Sequence, residues 1–195
     1  MNNSSPLPWQ LLSSSKNHSY RIFNIRTDLA RSPRTGKVHE FYILESAPWV
    51  NVIPLTPQNE VVLIRQYRHG IQTSTLEVPG GLVEAEDTPR SAASRELQEE
   101  TGYRAEEIRY LGKVHPNPAI QDNECHTYLA LQAKACLEQD LDEKEDIQVL
   151  RRPLQEIPGL ILQGEITHSL VVAAFQLFFL QQGWLSQPKE VEYGV

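Results

Sequence analysis

Cysteine is scarce in this chain. Its 195 residues hold only Cys125 and Cys136, whose spacing fits neither a zinc site nor a disulfide framework. A reducing cytoplasm is therefore the expected setting. Positive charge is also short: 18 Lys and Arg stand against 25 Asp and Glu, a net charge of -7. Duplex binding needs clustered cations, so no broad nucleic-acid surface is expected. A small phosphate ligand held by a few arginines remains compatible with that balance. The apolar run in Leu170–Leu180 is too short to span a bilayer and is interrupted by Gln176, so no membrane partner is expected. The opening MNNSSPLPWQLL has neither the charged start nor the long apolar core of a signal peptide. Internal repeats, low-complexity tracts and dividing linkers are likewise lacking. What is present is globular in kind, with 40% hydrophobic residues and enough length for one domain with a good core, or one domain with an extension.

The organising stretch is LEVPGGLVEAEDTPRSAASRELQEETGY, from Leu76 to Tyr103. Its second half predicts a helix. Thr88 suits the N-cap and Pro89 the first helical position, where a missing N–H costs nothing. Gly102 suits a left-handed stop. Glu96, Glu99 and Glu100 fall on one face of that helix, with Ala93 and Leu97 as its apolar stripe. Three like charges on one face repel, and a hard divalent cation with oxygen ligands would relieve them.

These residues carry a resemblance to the Nudix hydrolases. The family pattern is matched by Gly81, five residues, Asp87, seven residues, Arg95-Glu96-Leu97, Gln98, Glu99-Glu100, Thr101, Gly102 and Tyr103. Asp87 stands where the pattern has Glu, and Tyr103 where it has an aliphatic residue. The other positions would match by chance on the order of 10^-8 per start point, which separates the signature from an ordinary charged helix. The resemblance is to ADP-ribose pyrophosphatases in particular, through Gln66-Tyr67-Arg68, Glu77-Val78-Pro79-Gly80-Gly81 and the acidic segment Leu141–Ile147.

The resemblance implies an α+β Nudix fold, an α/β/α sandwich with a mixed sheet, preceded by a small N-terminal antiparallel sheet. It divides the chain into dimer-forming strands over 1–48, a hydrolase domain over 49–183 and a tail over 184–195. It implies Mg2+, or Mn2+, on Glu96, Glu99, Glu100 and the Gly80 carbonyl. The metal would neutralise two phosphates and polarise the attacked phosphorus. Arg68, Arg65, Glu77 and Glu124 become candidate substrate contacts. Arg95 is expected to orient a signature glutamate, and Glu99 to share in catalysis. The acidic segment is expected to supply a base, with Glu143 the best positional match and Glu145 second. The implied reaction is pyrophosphate hydrolysis in a nucleoside diphosphate sugar, ADP-ribose giving AMP and ribose 5-phosphate. GDP-mannose or another nucleotide sugar, nucleoside triphosphates or dinucleoside polyphosphates, and a non-catalytic nucleotide sensor are the alternatives. A homodimer is implied as well.

Periodicity supplies the remaining elements. Strands are expected at Trp9–Leu12, Tyr20–Arg26, Phe41–Leu44, Val50–Pro54, Val61–Tyr67, Ile108–Val114, Cys125–Ala133 and Ile147–Leu150. ARSPRTGK reads as a hairpin-like loop, and His115–Glu124 as a loop whose His115, like His126 beyond it, is a candidate acid–base group. Leu154–Leu162 reads as a short helix. A second, opened by Thr167 and Ser169, ends near Gly183, and Trp184 could dock.

Overall fold

The computed structural model describes residues 5–183; the tail expected at 184–195, Trp184 included, lies outside the described residues. Among the described residues twelve strands and three α-helices follow in order: β1 (Gln10–Ser19), β2 (Asn24–Arg31), β3 (Val38–Glu45), β4 (Trp49–Leu55), β5 (Glu60–Arg68), β6 (Thr73–Glu77), β7 (Gly80–Leu82), α1 (Pro89–Thr101), β8 (Tyr103–Arg104), β9 (Glu107–Val114), β10 (Cys125–Leu131), β11 (Lys134–Ala135), β12 (Ile147–Pro153), α2 (Ile157–Leu162) and α3 (Ser169–Gln181). The described residues form two compact units, 5–47 with 115–124, and 48–114 with 125–183.

In the smaller unit, β1, β2 and β3 make an antiparallel three-stranded sheet. The ARSPRTGK loop joins β2 to β3 as expected. The strand expected at Tyr20–Arg26 is corrected to β2, because Tyr20 to Phe23 make the turn into it: the Tyr20 N–H donates to the Phe23 carbonyl at 2.9 Å. The first strand also runs further than expected, through the polar Ser13–Ser19 stretch, where register shifts accommodate it. The 115–124 segment bonds to β3, the Leu44 N–H donating to the Ile120 carbonyl at 2.7 Å.

The larger unit is built on a seven-stranded mixed sheet in the order β12-β5-β4-β10-β9. Beyond Leu55↔Val61, β4 and β5 part company; β7 takes over the edge of β4, while β6 takes over the edge of β5. The link between them, Val78-Pro79, sits in that fork, held by Val52 N–H donating to the Pro79 carbonyl at 2.9 Å. Both faces of the sheet are covered. Val50, Val52 and Ala130 pack with Ala92, Ala93 and Leu97 of α1. Ile53, Leu63, Leu76 and Leu129 pack with Ile157 of α2 and Val171, Phe175 and Phe178 of α3. Alternate residues of β4 thus serve opposite layers, as strand geometry requires. The short helix expected at Leu154–Leu162 is a 3-10 turn over Leu154–Glu156 leading into α2, with Pro158 in its first turn.

Candidate active site

Helix α1 forms as its sequence dictates. Thr88 is extended (φ −87°, ψ 156°), accepts from the Ser91 N–H at 3.1 Å, and has its own N–H bound by the Ser91 hydroxyl at 2.8 Å. Gly102 stops the helix at φ 71°, and its N–H donates to the Gln98 carbonyl at 2.8 Å. A Cβ there would lie 2.2 Å from the Leu137 carbonyl oxygen, so both conformation and space demand glycine.

The helix presents its carboxylates to the sheet fork. Glu100 is 3% exposed and its Oε2 accepts from the Gly80 N–H at 2.8 Å. Glu96, 9% exposed, presses on the same turn: a Cβ at Gly81 would be 2.3 Å from its Oε1. At Gly80 a Cβ would be 2.2 Å from the Val50 carbonyl oxygen. The Gly80-Gly81 pair therefore lets backbone and carboxylates meet.

Arg95 organises the rest of that face. Its Nε bonds Asp87 at 3.0 Å, its Nη1 bonds Glu96 at 3.0 Å and Glu99 at 2.8 Å, and its Nη2 reaches the Leu82 carbonyl at 3.1 Å. Asp87, the shorter acid in the signature, thus still reaches the arginine. Arg95 thus bonds two glutamates at once, and its own pKa is raised: burial works against it, but the bonds to Glu99 and Asp87 outweigh burial.

Burial and like charge set the titration of the cluster. Burial raises Glu96 to about 7; Arg95 opposes this, and Glu99 and Glu145 add to it. Burial holds Glu100 well above the ordinary carboxylate range; the Gly80 N–H and Arg68 oppose, and Glu96 and Glu145 reinforce. Glu145 is thus the acidic-loop residue whose charge is felt at both buried glutamates and at Arg68. Its Oε2 also accepts from the Asp142 N–H at 3.1 Å. Glu143 is exposed on the same loop. Two features at the base of the loop carried no sequence signal. The Gln139 amide donates to the Glu100 carbonyl at 2.6 Å and the Ile147 carbonyl at 3.2 Å, and the Asp140 N–H donates to the Glu99 carbonyl at 2.9 Å.

Beside this cluster, Arg68 forks onto Glu77, Nε to Oε1 at 2.8 Å and Nη2 to Oε2 at 2.7 Å. The pair follows from register: Ile64 faces Glu77 across β5 and β6, and strand alternation puts Arg68 on the same side. Thr75, two residues before Glu77 and on that side too, also donates to Glu77. Burial alone would raise Glu77, yet the bonds and charge of Arg68 bring it below its ordinary value. Alternation sends Arg65 to the opposite face, where it lies 3.7 Å from Glu165. Glu124 belongs to the smaller unit, as does His115, whose Nδ1 is 3.4 Å from the Asn123 carbonyl. His126 lies on β10 with its ring 6.1 Å from that of Tyr110.

Among the described residues no three acidic, histidine or cysteine side chains are gathered as a ligand cluster. Arg95 takes Glu96 and Glu99, and Gly80 takes Glu100. The donor set nevertheless fits a hard divalent cation. It is all oxygen, and the raised affinity of Glu96 and Glu100 for protons marks a place where positive charge is under-supplied.

A mixed sheet between helical layers, with a glycine turn against a helix of buried glutamates, defines a metal-dependent hydrolase-type site. The NUDIX domain matches residues 46–175, and the chain belongs to that family, whose hydrolases use divalent metals. It is 32% identical over 165 residues to the methanol dehydrogenase activator of Bacillus methanolicus, covering 84% of this chain and 89% of that one. It is 27% identical over 153 residues to the ADP-ribose pyrophosphatase of Bacillus subtilis (strain 168), covering 78% and 83%. Its fold matches a crystal structure of an ADP compounds hydrolase with a TM-score of 0.79 at 22% identity, over 97% of this chain and 100% of the other.

Proposed function

We propose that this protein hydrolyses the pyrophosphate bond of nucleoside diphosphates linked to a sugar, with ADP-ribose, split into AMP and ribose 5-phosphate, as its substrate. One observation carries the reading: Glu100, buried with Glu96 against the glycine turn, accepts from the Gly80 N–H at 2.8 Å, and the charges of Arg68 and the acidic-loop Glu145 bear on it. An arginine arm, a carboxylate cluster and an acidic-loop glutamate within electrostatic reach of one another support a single site for anion, metal and base. The B. subtilis relative's name supports the nucleotide assigned.

In this reading Glu96, Glu99, Glu100 and the Gly80 carbonyl hold Mg2+, with Mn2+ as a substitute. The bound metal supplies charge neutralisation at the diphosphate and acidifies water. Arg68 offers the diphosphate the part of its guanidinium that Glu77 does not occupy, while Glu77 fixes its direction. Arg95 sets the rotamers of Glu96 and Glu99. Glu145 orients the attacking water and accepts its proton, with Glu143 the other candidate on that loop. The N-terminal strands, within residues 5–48, form the dimer contact, and the larger unit is the catalytic domain. The exposed Trp9, Leu11, Leu12 and Tyr42 of the first segment support a homodimer. The free thiols Cys125 and Cys136 support a cytoplasmic setting, and among the described residues no helix is long and apolar enough to cross a membrane.

A panel of ADP-ribose, GDP-mannose, other nucleotide sugars, nucleoside triphosphates and dinucleoside polyphosphates, with Mg2+ or Mn2+ and products resolved by chromatography, tests the proposal. ADP-ribose turnover that stops on chelation is expected. GDP-mannose as the fastest substrate reassigns the sugar nucleotide, and binding without turnover makes the protein a sensor.

A further inference from the structure

Asn51 is a polar residue in the middle of an apolar strand. Val50, Val52 and Ile53 around it are buried, and Asn51 itself is 8% exposed. Val50 and Val52 face α1, so alternation turns Asn51 to the face that carries α3. There its Nδ2 donates to the Leu170 carbonyl, in the first turn of α3, at 3.0 Å. The helix does not need this bond. Its orphan groups at that end are N–H donors, whereas a first-turn carbonyl already has an intrahelical partner. An aliphatic side chain would fill the place without the cost of burying an amide. The bond is better explained from the sheet, where Asn51 pairs with Gly80. That pairing leaves Gly80 no ladder bond of its own. The Val52 N–H donates to the Pro79 carbonyl and the Val83 N–H to the Pro48 carbonyl, each at 2.9 Å. Bonded pairs alternate with non-bonded ones along an antiparallel ladder, so Asn51 and Gly80 are a non-bonded pair. The N–H and the carbonyl of Gly80 both turn away from β4, and Glu100 takes the N–H at 2.8 Å. On the α3 face Gly80 meets Asn51: a Cβ on Gly80 would lie 3.0 Å from Asn51 Oδ1 and 3.2 Å from its Cα.

We propose that Asn51 is a positioning residue for the metal site: braced on α3 through the Leu170 carbonyl, its side chain holds the Gly80 peptide where the Gly80 carbonyl meets the cation. The inference rests on the hydrolase reading above, in which that carbonyl is a ligand. A glycine pair has no side chains to hold it and the widest backbone freedom of any dipeptide, so the brace comes from neighbours. Glu100 fixes the peptide through its N–H, on the side away from β4. Asn51 closes the α3 face against it. The amide is itself fixed by its bond to a helix, which a leucine at the same place would not be. Without the brace the peptide moves, and the loss falls on metal affinity, leaving the chemical step at saturating metal nearly intact.

Asn51→Leu keeps the bulk and removes the donor. Its half-saturating Mg2+ concentration should rise about tenfold or more, the usual effect of losing a group that orients a metal ligand. At saturating Mg2+, kcat for ADP-ribose should lie within about threefold of wild type. The metal can also be followed without turnover. Gly80-Gly81 is the one Gly-Gly pair in the sequence. Protein labelled only in glycine, with 13C at the carbonyl and 15N at the amide, therefore gives one carbonyl–amide correlation, Gly80 to Gly81. In wild type that carbonyl signal should shift on titration with Mg2+. In Asn51→Leu it should start from a different position and titrate at the higher concentration. Asn51→Ser loses the bond without adding bulk and takes the same test if the leucine variant does not fold. A folded variant with wild-type half-saturation overturns the inference. So does the failure of both variants to fold without metal, which makes the bond purely structural. A wild-type carbonyl that ignores Mg2+ overturns the ligand assignment and the inference with it. A wild-type shift without nucleotide turnover overturns the hydrolase reading alone.

Discussion

Replacing Glu96 by Gln should make the metal-free protein more stable while removing its activity. The carboxylate is 9% exposed, and burial lifts its pKa from 4.5 to about 7. An acid whose folded pKa lies above its unfolded value favours the fold when protonated. Its contribution is fully present below pH 4.5 and drains away as pH rises through about 7. Each tenfold change in proton affinity is worth about 1.4 kcal/mol, so ionised Glu96 costs the fold about 3 kcal/mol at pH 8. Glutamine keeps the shape and an oxygen for Arg95, which retains Asp87 and Glu99 in any case. Some relaxation around the charge lowers the gain to about 1–3 kcal/mol, or roughly 2–10 °C in Tm for a chain of this size. The assay is thermal unfolding of both proteins in EDTA, at pH 8 and at pH 5. The advantage of Glu96→Gln should shrink at pH 5 to under about 1 kcal/mol, because the folded wild type is then protonated at this site. Saturating Mg2+ should narrow the gap at pH 8 by stabilising only the protein that binds it. A variant less stable than wild type at pH 8, or an advantage independent of pH, would refute the claim that burial of charge dominates at Glu96.

Three further outcomes are expected. Arg68→Ala should lower kcat/KM for ADP-ribose about 10- to 100-fold through the lost charge-assisted bonds; it should also cost about 1–3 kcal/mol in urea unfolding, since it leaves buried Glu77 without its partner. Gly81→Ala should cut turnover by at least about tenfold, because its Cβ would come within 2.3 Å of Glu96 Oε1 and force that carboxylate aside; unchanged kinetics would mean the glutamate moves freely. Glu145→Gln should reduce kcat about 100-fold with little change in nucleotide affinity measured by calorimetry, while Glu143→Gln should have little effect; the reverse order would return the base to Glu143.

The sequence carried some of this plainly and some not at all, and the difference has a physical cause. The ends of α1 were legible because capping is local: Thr88, Pro89, Ser91 and Gly102 act within a few residues of one another. The three glutamates were legible because helical spacing alone puts them on one face. Strand β2 was misplaced because Tyr20–Phe23 alternates like a strand yet closes a turn by its own backbone bond. What spacing cannot convey is which distant groups a buried charge will meet. Arg65 and Arg68 are both candidate contacts in the chain, Arg68 the favoured one through Gln66-Tyr67-Arg68, and only the pairing of β5 with β6 sends one to Glu77 and the other to Glu165. In the acidic loop, Glu143 and Glu145 differ by a single alternation. Their separation depends on where the loop is anchored, and that anchor is the amide of Gln139 on the last turn of α1 and the first residue of β12. A glutamine between two elements has no periodicity to betray it. The site is thus most readable where one element makes it and least readable where its parts meet across the fork of the sheet. There the charges on Glu77, Glu96 and Glu100 are set by neighbours far away in sequence, which is why their opposite shifts, one down and two up, could be assigned only once the strands were paired.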